Sequence, residues 1–519
     1  MTADTLAGLL AARADDDRPG LRFEERVWTW RAYVSACRSI ASWLGTAGRH
    51  IGVICDNVPG IALLLGAAAL SEHVLVALNP TRSPVELARD ARATDVDVLV
   101  WDTPYVEAAR HVADELRIPA FHVSAVETAE AEEGPAVPND LVMLVFTSGT
   151  SSGRPRAVRV TQRKLAVPGN SLAAMLTQDD VVYCSMPLFH SGAVMAAYAP
   201  AVASGATLAL RRKFSASGLL PDVRAYGATY LHYVGKALSY VLATDPLPDD
   251  AANPLKIAFG NEGSATATRR FGERFGCLVI DAFGSTETAI SISPDPSGPP
   301  GSLGKLPDGI EIRDPATGAA CPPEIVGELV NVRGLGLFDG YYNDPDADAE
   351  RVRQGAFWSG DLAYADADGY VFFAGRGTER LRGDGENLAV APGEEVLRQY
   401  PGVIEAAVYP VPDAAAGDQV MAALITDGPF DPAAFAAFLE TRRDLGAKAV
   451  PRYVRLCAEF PLTPSHKVIK RILAAEGWRT TDPVWWRPGA GGFTLMGEED
   501  VRAVEAEFVK YGRHDLMES

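Results

Sequence analysis

Short apolar runs alternate with amphipathic stretches through the first half of the chain. Residues 50–55 and 74–77 are short and apolar enough for buried strands, and residues 60–70 are long enough for a helix. Ser83 and the proline after it are typical of the start of a helix, which should run to Ala93, and residues 96–101 predict the next strand. This alternation predicts βαβ units in a mostly parallel sheet.

Later parts of the chain repeat this pattern and then change it. Further strands are predicted at residues 141–146, 207–210, 256–259 and 278–281. From about residue 300, Gly, Pro and Asp separate short alternating segments such as 327–332 and 369–374, which predict antiparallel hairpins. After Arg376 an α+β pattern follows, with helices at 394–399 and 431–443 and strands at 403–411 and 419–426.

These patterns predict an α/β fold in three parts. A large N-terminal domain, residues 1–378, should contain mostly parallel sheets flanked by helices and a β-hairpin subdomain. A small α+β C-terminal domain should span residues 379–480, and a tail with an amphipathic helix should follow over residues 481–519. The length of 519 residues agrees, since roughly 150 residues per domain gives about three units.

Composition and charge argue against several classes of protein. With 47% hydrophobic and 22% charged residues the chain is typical of globular proteins. The formal net charge of −19 argues against nucleic acid as a partner, because phosphate contacts need a basic surface, although a nucleotide needs only a few local donors. The six cysteines are scattered without a CxxC pair, so neither a zinc site nor a disulfide framework is expected.

The sequence also predicts the cellular location of the protein. The first residues lack the basic and apolar segments of a signal peptide. The most apolar stretch, residues 193–210, contains Pro200 and Gly205 and is predicted to be buried core instead of a membrane span. A cytoplasmic protein without a membrane span is therefore expected.

The most informative motif lies between Leu144 and Val158. An apolar strand leads into a loop rich in hydroxyls and glycines, and the loop closes on the cation of Arg156. Backbone N–H groups and hydroxyls in such a loop can surround a polyphosphate, and glycine permits its close approach. The loop lacks the Gly-Lys-Ser/Thr ending of a Walker A motif, and alone it is also typical of an ordinary polar turn.

A second motif, Asp281 to Glu287, follows another predicted strand. It places an aromatic ring, a glycine, two hydroxyls and a carboxylate at the sheet edge where α/β folds bind ligands. Glu287 beside these hydroxyls is a candidate Mg²⁺ ligand, because that ion takes one or two carboxylates together with phosphate oxygens and water.

Four further motifs follow in chain order: Trp358-Ser-Gly-Asp-Leu362, Gly375-Arg376, Gly383-Asp-Gly-Glu-Asn387 and Thr463-Pro-Ser-His-Lys-Val-Ile-Lys-Arg471. Each is weak alone, but the whole set in this order and spacing resembles the adenylate-forming superfamily of acyl-CoA synthetases, peptide-synthetase adenylation domains and luciferases. The likeness covers the chain from about residue 5 to 480. Residues 232–236, 260–263 and 283–287 and the Asp-Gly-Glu-Asn loop resemble the bacterial very-long-chain or fatty-acid-transport-type branch.

This resemblance implies that ATP, Mg²⁺ and a small-molecule acid form an acyl-adenylate, with CoA as the second substrate. The implied catalytic residues are Thr286 at the α-phosphate, Glu287 at Mg²⁺, His190 at the substrate pocket and Lys467 between the acid and the α-phosphate. The implied nucleotide-binding residues are Thr147, Ser148, Gly149, Thr150, Ser151, Ser152, Arg156, Asn261, Glu262, Gly263, Asp281, Ala282, Phe283, Gly284, Ser285, Thr286, Asp361, Arg376 and Lys467. A cation between acid and phosphate is needed, since two anions about 4 Å apart repel by about 4 kcal/mol at an effective dielectric near 20.

The resemblance also implies two half-reactions that are separated by motion of the small, mobile C-terminal domain. The hinge would lie at Glu379, with Lys467 used for adenylation. The loop that would bring the second substrate to the adenylate contains Gly383, Gly385, Glu386 and Asn387.

Several positions have two interpretations. Thr288, Ala289 and Ile290 are bulkier than the small residues of many relatives, which predicts a shortened acyl pocket. His190 is also compatible with a packed histidine without a chemical role. Lys470 and Arg471 are interpreted as an exposed charge pair, with contact to a CoA phosphate as the alternative.

Two other segments are given structural interpretations. The glycine-rich run 334–340 lies among predicted hairpins, so a dinucleotide-binding loop is not expected there. Trp485 and Trp486 are predicted to seal the C-terminal tail.

Three functions remain open at this point. The leading hypothesis is an AMP-forming acid:CoA ligase. An alternative enzyme keeps the adenylation but activates nitrite and transfers it to an arylamine acceptor, as a diazotase would. A degenerate relative that only binds nucleotide is the third hypothesis, and the joint presence of Glu287, Asp361, Arg376 and Lys467 argues against it.

Overall fold

The computed structural model describes residues 3–517, apart from residues 46, 133–136, 148–154, 236, 264, 296, 377–380, 384, 385, 389, 415–417, 443, 444, 446–449, 464–467, 490, 491 and 512. The backbone alone is described for residues 376, 381–383, 386–388, 390–392, 514 and 515.

The described helices are α1 (Leu6–Ala11), α2 (Trp30–Trp43), α3 (Pro59–Ala69), α4 (Pro84–Ala93), α5 (Val106–Leu116), α6 (Val123–Glu127), α7 (Gln162–Ala173), α8 (Ser191–Ala193), α9 (Ala199–Ser204), α10 (Leu219–Tyr226), α11 (Ala237–Leu242), α12 (Ala265–Phe275), α13 (Pro345–Arg351), α14 (Val390–Arg398), α15 (Pro432–Thr441), α16 (Lys470–Glu476) and α17 (Glu498–Lys510). A π-helical segment, Val194–Tyr198, joins α8 to α9.

The described strands are β1 (Pro19–Phe23), β2 (Arg26–Thr29), β3 (His50–Ile54), β4 (Val74–Ala77), β5 (Val98–Trp101), β6 (Ala120–His122), β7 (Leu141–Thr147), β8 (Arg156–Thr161), β9 (Val181–Cys184), β10 (Thr207–Leu210), β11 (Tyr230–Val234), β12 (Ile257–Asn261), β13 (Leu278–Asp281), β14 (Phe283–Gly284), β15 (Ser291–Ile292), β16 (Gly304–Lys305), β17 (Ile310–Arg313), β18 (Gly327–Asn331), β19 (Val352–Arg353), β20 (Ala356–Ala365), β21 (Tyr370–Arg376), β22 (Leu381–Gly383), β23 (Glu386–Leu388), β24 (Val403–Pro412), β25 (Asp418–Thr426), β26 (Tyr453–Leu456), β27 (Val484–Trp486) and β28 (Thr494–Leu495). The α/β fold predicted from the sequence is thereby confirmed.

The chain divides into two compact units. The first contains Met1–Gly263, Thr268–Ser291 and Arg333–Phe357, and the second contains Ser264–Ala267, Ile292–Val332 and Trp358–Ser519. The predicted domain boundaries stay predictions, and the predicted hinge residue Glu379 lies outside the described residues.

A seven-stranded sheet in the first unit has the order β13-β12-β11-β9-β10-β1-β2. Its strands are parallel apart from the antiparallel pair β1–β2, as the alternating pattern predicts. Tyr233 of β11 pairs with Gly260 of β12, which pairs with Asp281 of β13. The carboxyl ends of these three strands therefore lie side by side.

A six-stranded sheet in the same unit has the order β6-β5-β3-β4-β7-β8. It is parallel except for β8, which runs antiparallel to β7. Helix α3 contains no charged residue and packs against α2, α6, β4 and β7, so every one of its residues is buried. Ser83 caps α4 as predicted, in a capping box with Glu86.

The second unit carries the predicted hairpins in a sheet whose main path is β16-β21-β20-β18-β17. A five-stranded sheet, β24-β25-β26-β27-β28, has an apolar cluster on each face, because successive side chains of a strand point to opposite sides. Ala406 and Val408 belong to one cluster, and Ala407 and Tyr409 belong to the other.

The C-terminal tail is part of the core of the second unit. The ring of Trp486 lies 6.3 Å from that of Tyr453 at an interplanar angle of 6°, and Val504 and Phe508 of α17 join the same apolar cluster. Trp485 packs against the cluster on the opposite face. The predicted structural role of the two tryptophans is therefore confirmed.

Within the described part of the chain, we find no helix with the length and apolar character that crossing a membrane requires.

Gly260 should tolerate no side chain, because a Cβ there would lie 2.2 Å from the carbonyl oxygen of Tyr233 on the neighbouring strand. We expect Gly260→Ala to cost at least about 2 kcal/mol of stability, at the upper part of the range for overpacked cores. The measurement is the thermal unfolding midpoint of the purified variant. Gly284→Ala is the matched control, since nothing lies within 4 Å of a Cβ there, and equal midpoints for the two variants would contradict this packing.

Candidate active site

The ends of β11, β12 and β13 are joined by the carboxylate of Asp281. Its Oδ2 accepts a hydrogen bond of 2.7 Å from the Tyr233 hydroxyl and another of 2.7 Å from the N–H of Gly263. Glu262, directly before this glycine, has a φ of 62°, a conformation that a non-glycine residue rarely adopts without support. Asp281 thus fixes the segment that the resemblance places at the edge of adenine.

The environment of Asp281 opposes its ionisation. Burial raises the pKa of Asp281 to about 7, although the hydrogen bonds from Tyr233 and Gly263 favour the charged form. Phe283, which the resemblance assigns to adenine stacking, follows two residues later on β14. The adenine contacts themselves stay predictions.

Thr286 and His190, which the sequence predicts as catalytic, are brought to one place by Ser191. The hydroxyls of Ser191 and Thr286 share a hydrogen bond of 2.8 Å. Ser191 begins α8, and His190 precedes it as the N-cap residue, with its ring centroid 4.6 Å from that of Phe189.

Asn57 holds the loop that leads to His190. The Asn57 amide donates to the carbonyl of Met186 at 2.6 Å, and its side-chain oxygen accepts from the N–H of Leu188 at 2.7 Å. Asn57 is 1% exposed, so both contacts are shielded from water. A strand end of one sheet thereby positions a loop that follows β9 of the other sheet.

Glu287 lies between a hydroxyl donor and a buried ammonium group. The Tyr341 hydroxyl donates to Glu287 Oε1 at 2.8 Å. Lys164 on α7 is fully buried, donates to the carbonyl of Arg159 at 3.3 Å and interacts electrostatically with Glu287 and Asp339. Burial lowers the pKa of Lys164 to about 8, and the two carboxylates oppose this shift.

The role of Glu287 as a Mg²⁺ ligand stays a prediction. No group of three or more His, Cys, Asp or Glu side chains among the described residues could hold a metal by itself. Mg²⁺ typically takes one or two carboxylates and completes its shell with phosphate oxygens and water. Glu287 is the residue predicted to supply the single carboxylate ligand of this ion.

The segment after Glu287 has an unusual backbone. Thr288 has a φ of 56°, which is a clear outlier for a β-branched residue. Its carbonyl accepts from the N–H of Leu337 at 3.2 Å, and a Cβ on Gly336 would lie 2.6 Å from the carbonyl oxygen of Ala289. The glycine-rich run 334–340 therefore supports this segment by close backbone approach.

Arg156 begins β8, and its guanidinium group is buried and paired with Glu350. The same guanidinium lies 5.5 Å from the centroid of the Tyr341 ring. Arg156 therefore neutralises a carboxylate of the protein and packs on an aromatic ring. Its contact with a nucleotide phosphate stays a prediction.

Asp361 and Arg376 are direct cross-strand partners in the antiparallel pair β20–β21 of the second unit. Asp361 is buried, its N–H donates to Ser359 Oγ at 3.0 Å, and the N–H of Gly360 donates to Glu328 Oε1 at 2.7 Å. Gly360 has a φ of 76°, a backbone conformation that glycine adopts without steric cost. The two residues that the resemblance assigns to ribose thus share one short stretch of sheet.

Several predicted site residues lie outside the described residues. They are Ser148, Gly149, Thr150, Ser151, Ser152, Glu379, Gly385 and Lys467. For the loop of the second half-reaction the backbone shows an antiparallel hairpin, β22–β23, in which Gly383 pairs with Glu386 and Arg382 with Asn387.

The structure corrects the interpretation of Lys470 as an exposed charge. The Lys470 ammonium lies 2.9 Å from Glu394 Oε1, and the lysine side chain is only 16% exposed. Glu394 on α14 is itself largely buried and also accepts from the N–H of Val408 at 2.8 Å, so it needs a cation nearby. Arg471, the next residue, is exposed as predicted.

Sequence reasoning missed Asn57, Lys164, Tyr233 and Tyr341. Tyr233 lies inside a quoted motif, but its bond to Asp281 depends on strand register, which the motif does not contain. The sequence signal for Tyr341 was its position directly after the glycine-rich run 334–340, because glycine permits close approach of one backbone segment to another group.

Hydroxyls and carboxylates gathered at the ends of parallel strands are typical of enzymes that bind a nucleotide. The sequence profile of the AMP-binding enzyme family matches residues 10–342, and that of the AMP-binding enzyme C-terminal domain matches residues 393–467. The chain belongs to the AMP-binding enzyme family.

Relatives over nearly the full length agree with this assignment. A medium/long-chain-fatty-acid–CoA ligase of Mycobacterium marinum is 48% identical over 93% of this chain and 99% of its own. A steroid-22-oyl-CoA synthetase of Rhodococcus jostii is 42% identical over 99% of each chain. The crystal structure of ATP-bound MatB from Rhodopseudomonas palustris is similar in fold, with a TM-score of 0.80, 24% identity and coverage of 91% of this chain and 98% of that one.

These comparisons confirm the predicted adenylate-forming superfamily and the predicted AMP-forming acid:CoA ligase. None of the reported relatives supports the nitrite-activating alternative or an amine acceptor.

The pKa of Asp281 predicts a pH-dependent stability. The unfolded carboxyl loses its proton near pH 3.9, whereas the folded one keeps it to about pH 7, so the free energy of unfolding should fall as pH rises between these values. Asp281→Asn removes this ionisation and retains both hydrogen-bond acceptor contacts. Between pH 5 and 8 the thermal unfolding midpoint of the wild type should fall. The fall should be smaller by a few degrees in Asp281→Asn.

Thermal scans of both proteins across this pH range measure that difference. Asp179→Asn is the control for removing an exposed carboxylate on the same unit. Parallel pH profiles for the wild type and Asp281→Asn would contradict the raised pKa.

Proposed function

We propose that this ligase activates a carboxylic acid with a large apolar body and transfers the acyl group to CoA. The observation that carries the proposal is the pair of full-length relatives at 48% and 42% identity, which are named for medium- or long-chain fatty acids and for a steroid acid. Both names describe a carboxylate attached to an extended apolar group. The common feature of these substrates is therefore the apolar body.

The lining of a small pocket in the first unit agrees with this proposal. The pocket has a cavity volume of about 10 Å³ and is lined mainly by Met186, Phe214, Leu231, Leu238 and Val241. His232 also contributes to the wall, and burial lowers its pKa to about 4, so its imidazole is neutral at physiological pH. An uncharged wall of this composition favours hydrocarbon over a second charged group.

The proposed roles of the site residues follow the resemblance and the contacts of the first unit. Thr286 binds the α-phosphate, and Ser191 fixes its hydroxyl. Glu287 holds Mg²⁺, which when bound neutralises phosphate charge. Asp361 and Arg376 bind the ribose and phosphate side of the nucleotide, and Lys467 stands between the acid and the α-phosphate during adenylation.

A cytoplasmic location is part of the proposal. All six cysteines are unpaired, as is usual in a reducing compartment, and ATP and CoA are intracellular substrates. The three-part domain organisation, with residues 379–480 as the part that carries Lys467, belongs to the same proposal.

The acid preference is tested with a substrate panel. Burying a methylene contributes about 0.8 kcal/mol, so decanoate should exceed acetate by at least about a hundredfold in kcat/KM for AMP formation. A steroid side-chain acid should also be used, whereas malonate and benzoate should be poor substrates. The highest kcat/KM for a small polar acid would contradict the proposal.

Filling the cavity should change this preference selectively. We expect Leu238→Phe to lower kcat/KM for decanoate by about tenfold, the effect of about two lost methylene contacts, with little change for acetate. The exposed substitution Val167→Phe is the control. An equal loss for both acids would show that the cavity does not hold the acyl chain.

Lys467→Ala should separate the two half-reactions. Losing a charge that stabilises the transition state typically costs about a hundred- to a thousandfold in rate, so acid-dependent pyrophosphate exchange should fall by that factor. Transfer to CoA from preformed acyl-adenylate should remain. Arg471→Ala is the control, because Arg471 is exposed whereas Lys470 is paired with Glu394. Unchanged exchange in Lys467→Ala would refute the assignment of this lysine.

A further inference from the structure

The segment 340–342 is an extension of the six-stranded sheet beyond β8. Tyr341 forms an antiparallel bridge with Val158, the N–H of Arg159 donates to the carbonyl of Gly340 at 3.1 Å, and the N–H of Tyr342 donates to the carbonyl of Ala157 at 2.8 Å. β8 begins at Arg156, four residues after Ser152, the last residue of the predicted phosphate loop. The backbone of Tyr341 is therefore set by the strand that leaves this loop.

The side chain of Tyr341 is held as firmly as its backbone. It is 4% exposed, its ring centroid lies 5.1 Å from that of Phe338, and the Arg156 guanidinium lies over the ring. The backbone N–H of Tyr341 donates to Asp348 Oδ1 at 2.8 Å. The hydroxyl donates to Glu287 Oε1 at 2.8 Å, and the Arg351 side chain also interacts with it.

We propose that Tyr341 is a positioning residue that orients the carboxylate of Glu287 for the divalent cation of the bound nucleotide. This inference rests on the proposed role of Glu287 as a Mg²⁺ ligand. A hydrogen bond to Oε1 fixes the plane of the carboxylate and presents Oε2 in one orientation. The rotational freedom of the carboxylate is thus lost on folding and does not have to be lost on cation binding.

The size of the effect follows from hydrogen bonds to metal ligands in other proteins. Removing a group that orients a ligand typically weakens metal affinity by about ten- to a hundredfold. Glu287 contributes only one carboxylate to a cation that the nucleotide phosphates also hold, so we expect the lower part of this range.

The test measures cation binding and does not depend on turnover or on the identity of the acid. Mn²⁺ is titrated into the enzyme–ATP complex without acid or CoA, and free Mn²⁺ is followed by electron paramagnetic resonance. Tyr341→Phe should weaken Mn²⁺ binding by about tenfold, while ATP affinity in the presence of EDTA stays as in the wild type. Tyr342→Phe is the matched control, because the hydroxyl of this neighbour donates to Asp95 at 2.9 Å.

A double variant establishes whether Tyr341 acts through Glu287. Mn²⁺ binding should be weakened by Glu287→Gln, and Tyr341→Phe should add nothing in that background. If Glu287→Gln weakens binding but Tyr341→Phe does not, or if the two effects multiply, the inference about Tyr341 is wrong and the role of Glu287 stands. If Glu287→Gln itself leaves Mn²⁺ binding unchanged, the proposed metal ligand is wrong and the inference falls with it.

Discussion

A carboxyl group that is shielded from water must meet hydrogen-bond donors, and this constraint organises the candidate site. Leaving such a group without donors costs about 1–3 kcal/mol, so each one is met by a donor from another element. Asp281 is met by Tyr233 and Gly263, Glu287 by Tyr341, and Glu394 by Lys470. Each of these contacts joins segments that are distant in sequence, and the loops take their positions from them.

The same constraint explains how a chain with a net charge of −19 can handle anionic substrates. Its overall charge repels ATP and a carboxylate, so binding has to come from local donors. Thr286 and Ser191 bring two hydroxyls together at the candidate site. In the proposed function these donors and a cation at Glu287 would receive the anions in place of a basic surface.

The sequence predicted what depends on local pattern and missed what depends on register and burial. Strand and helix periods, the Ser83 cap and the motif residues at strand ends were found, because each is a property of neighbouring positions. The bond from Tyr341 to Glu287 joins residues 54 positions apart and follows from the pairing of segment 340–342 with β8. Lys470 was misjudged for the same reason, since its partner Glu394 lies on another helix.

The central claim is that the oxygen of a carboxylic acid attacks the α-phosphate of ATP. The most direct measurement uses decanoate with both carboxylate oxygens labelled with ¹⁸O, together with ATP, Mg²⁺ and CoA. Attack by the acid and later attack by the CoA thiol leave one labelled oxygen on AMP, so mass spectrometry should find ¹⁸O in AMP and none in pyrophosphate. Unlabelled AMP, or ADP with label in inorganic phosphate, would contradict the account.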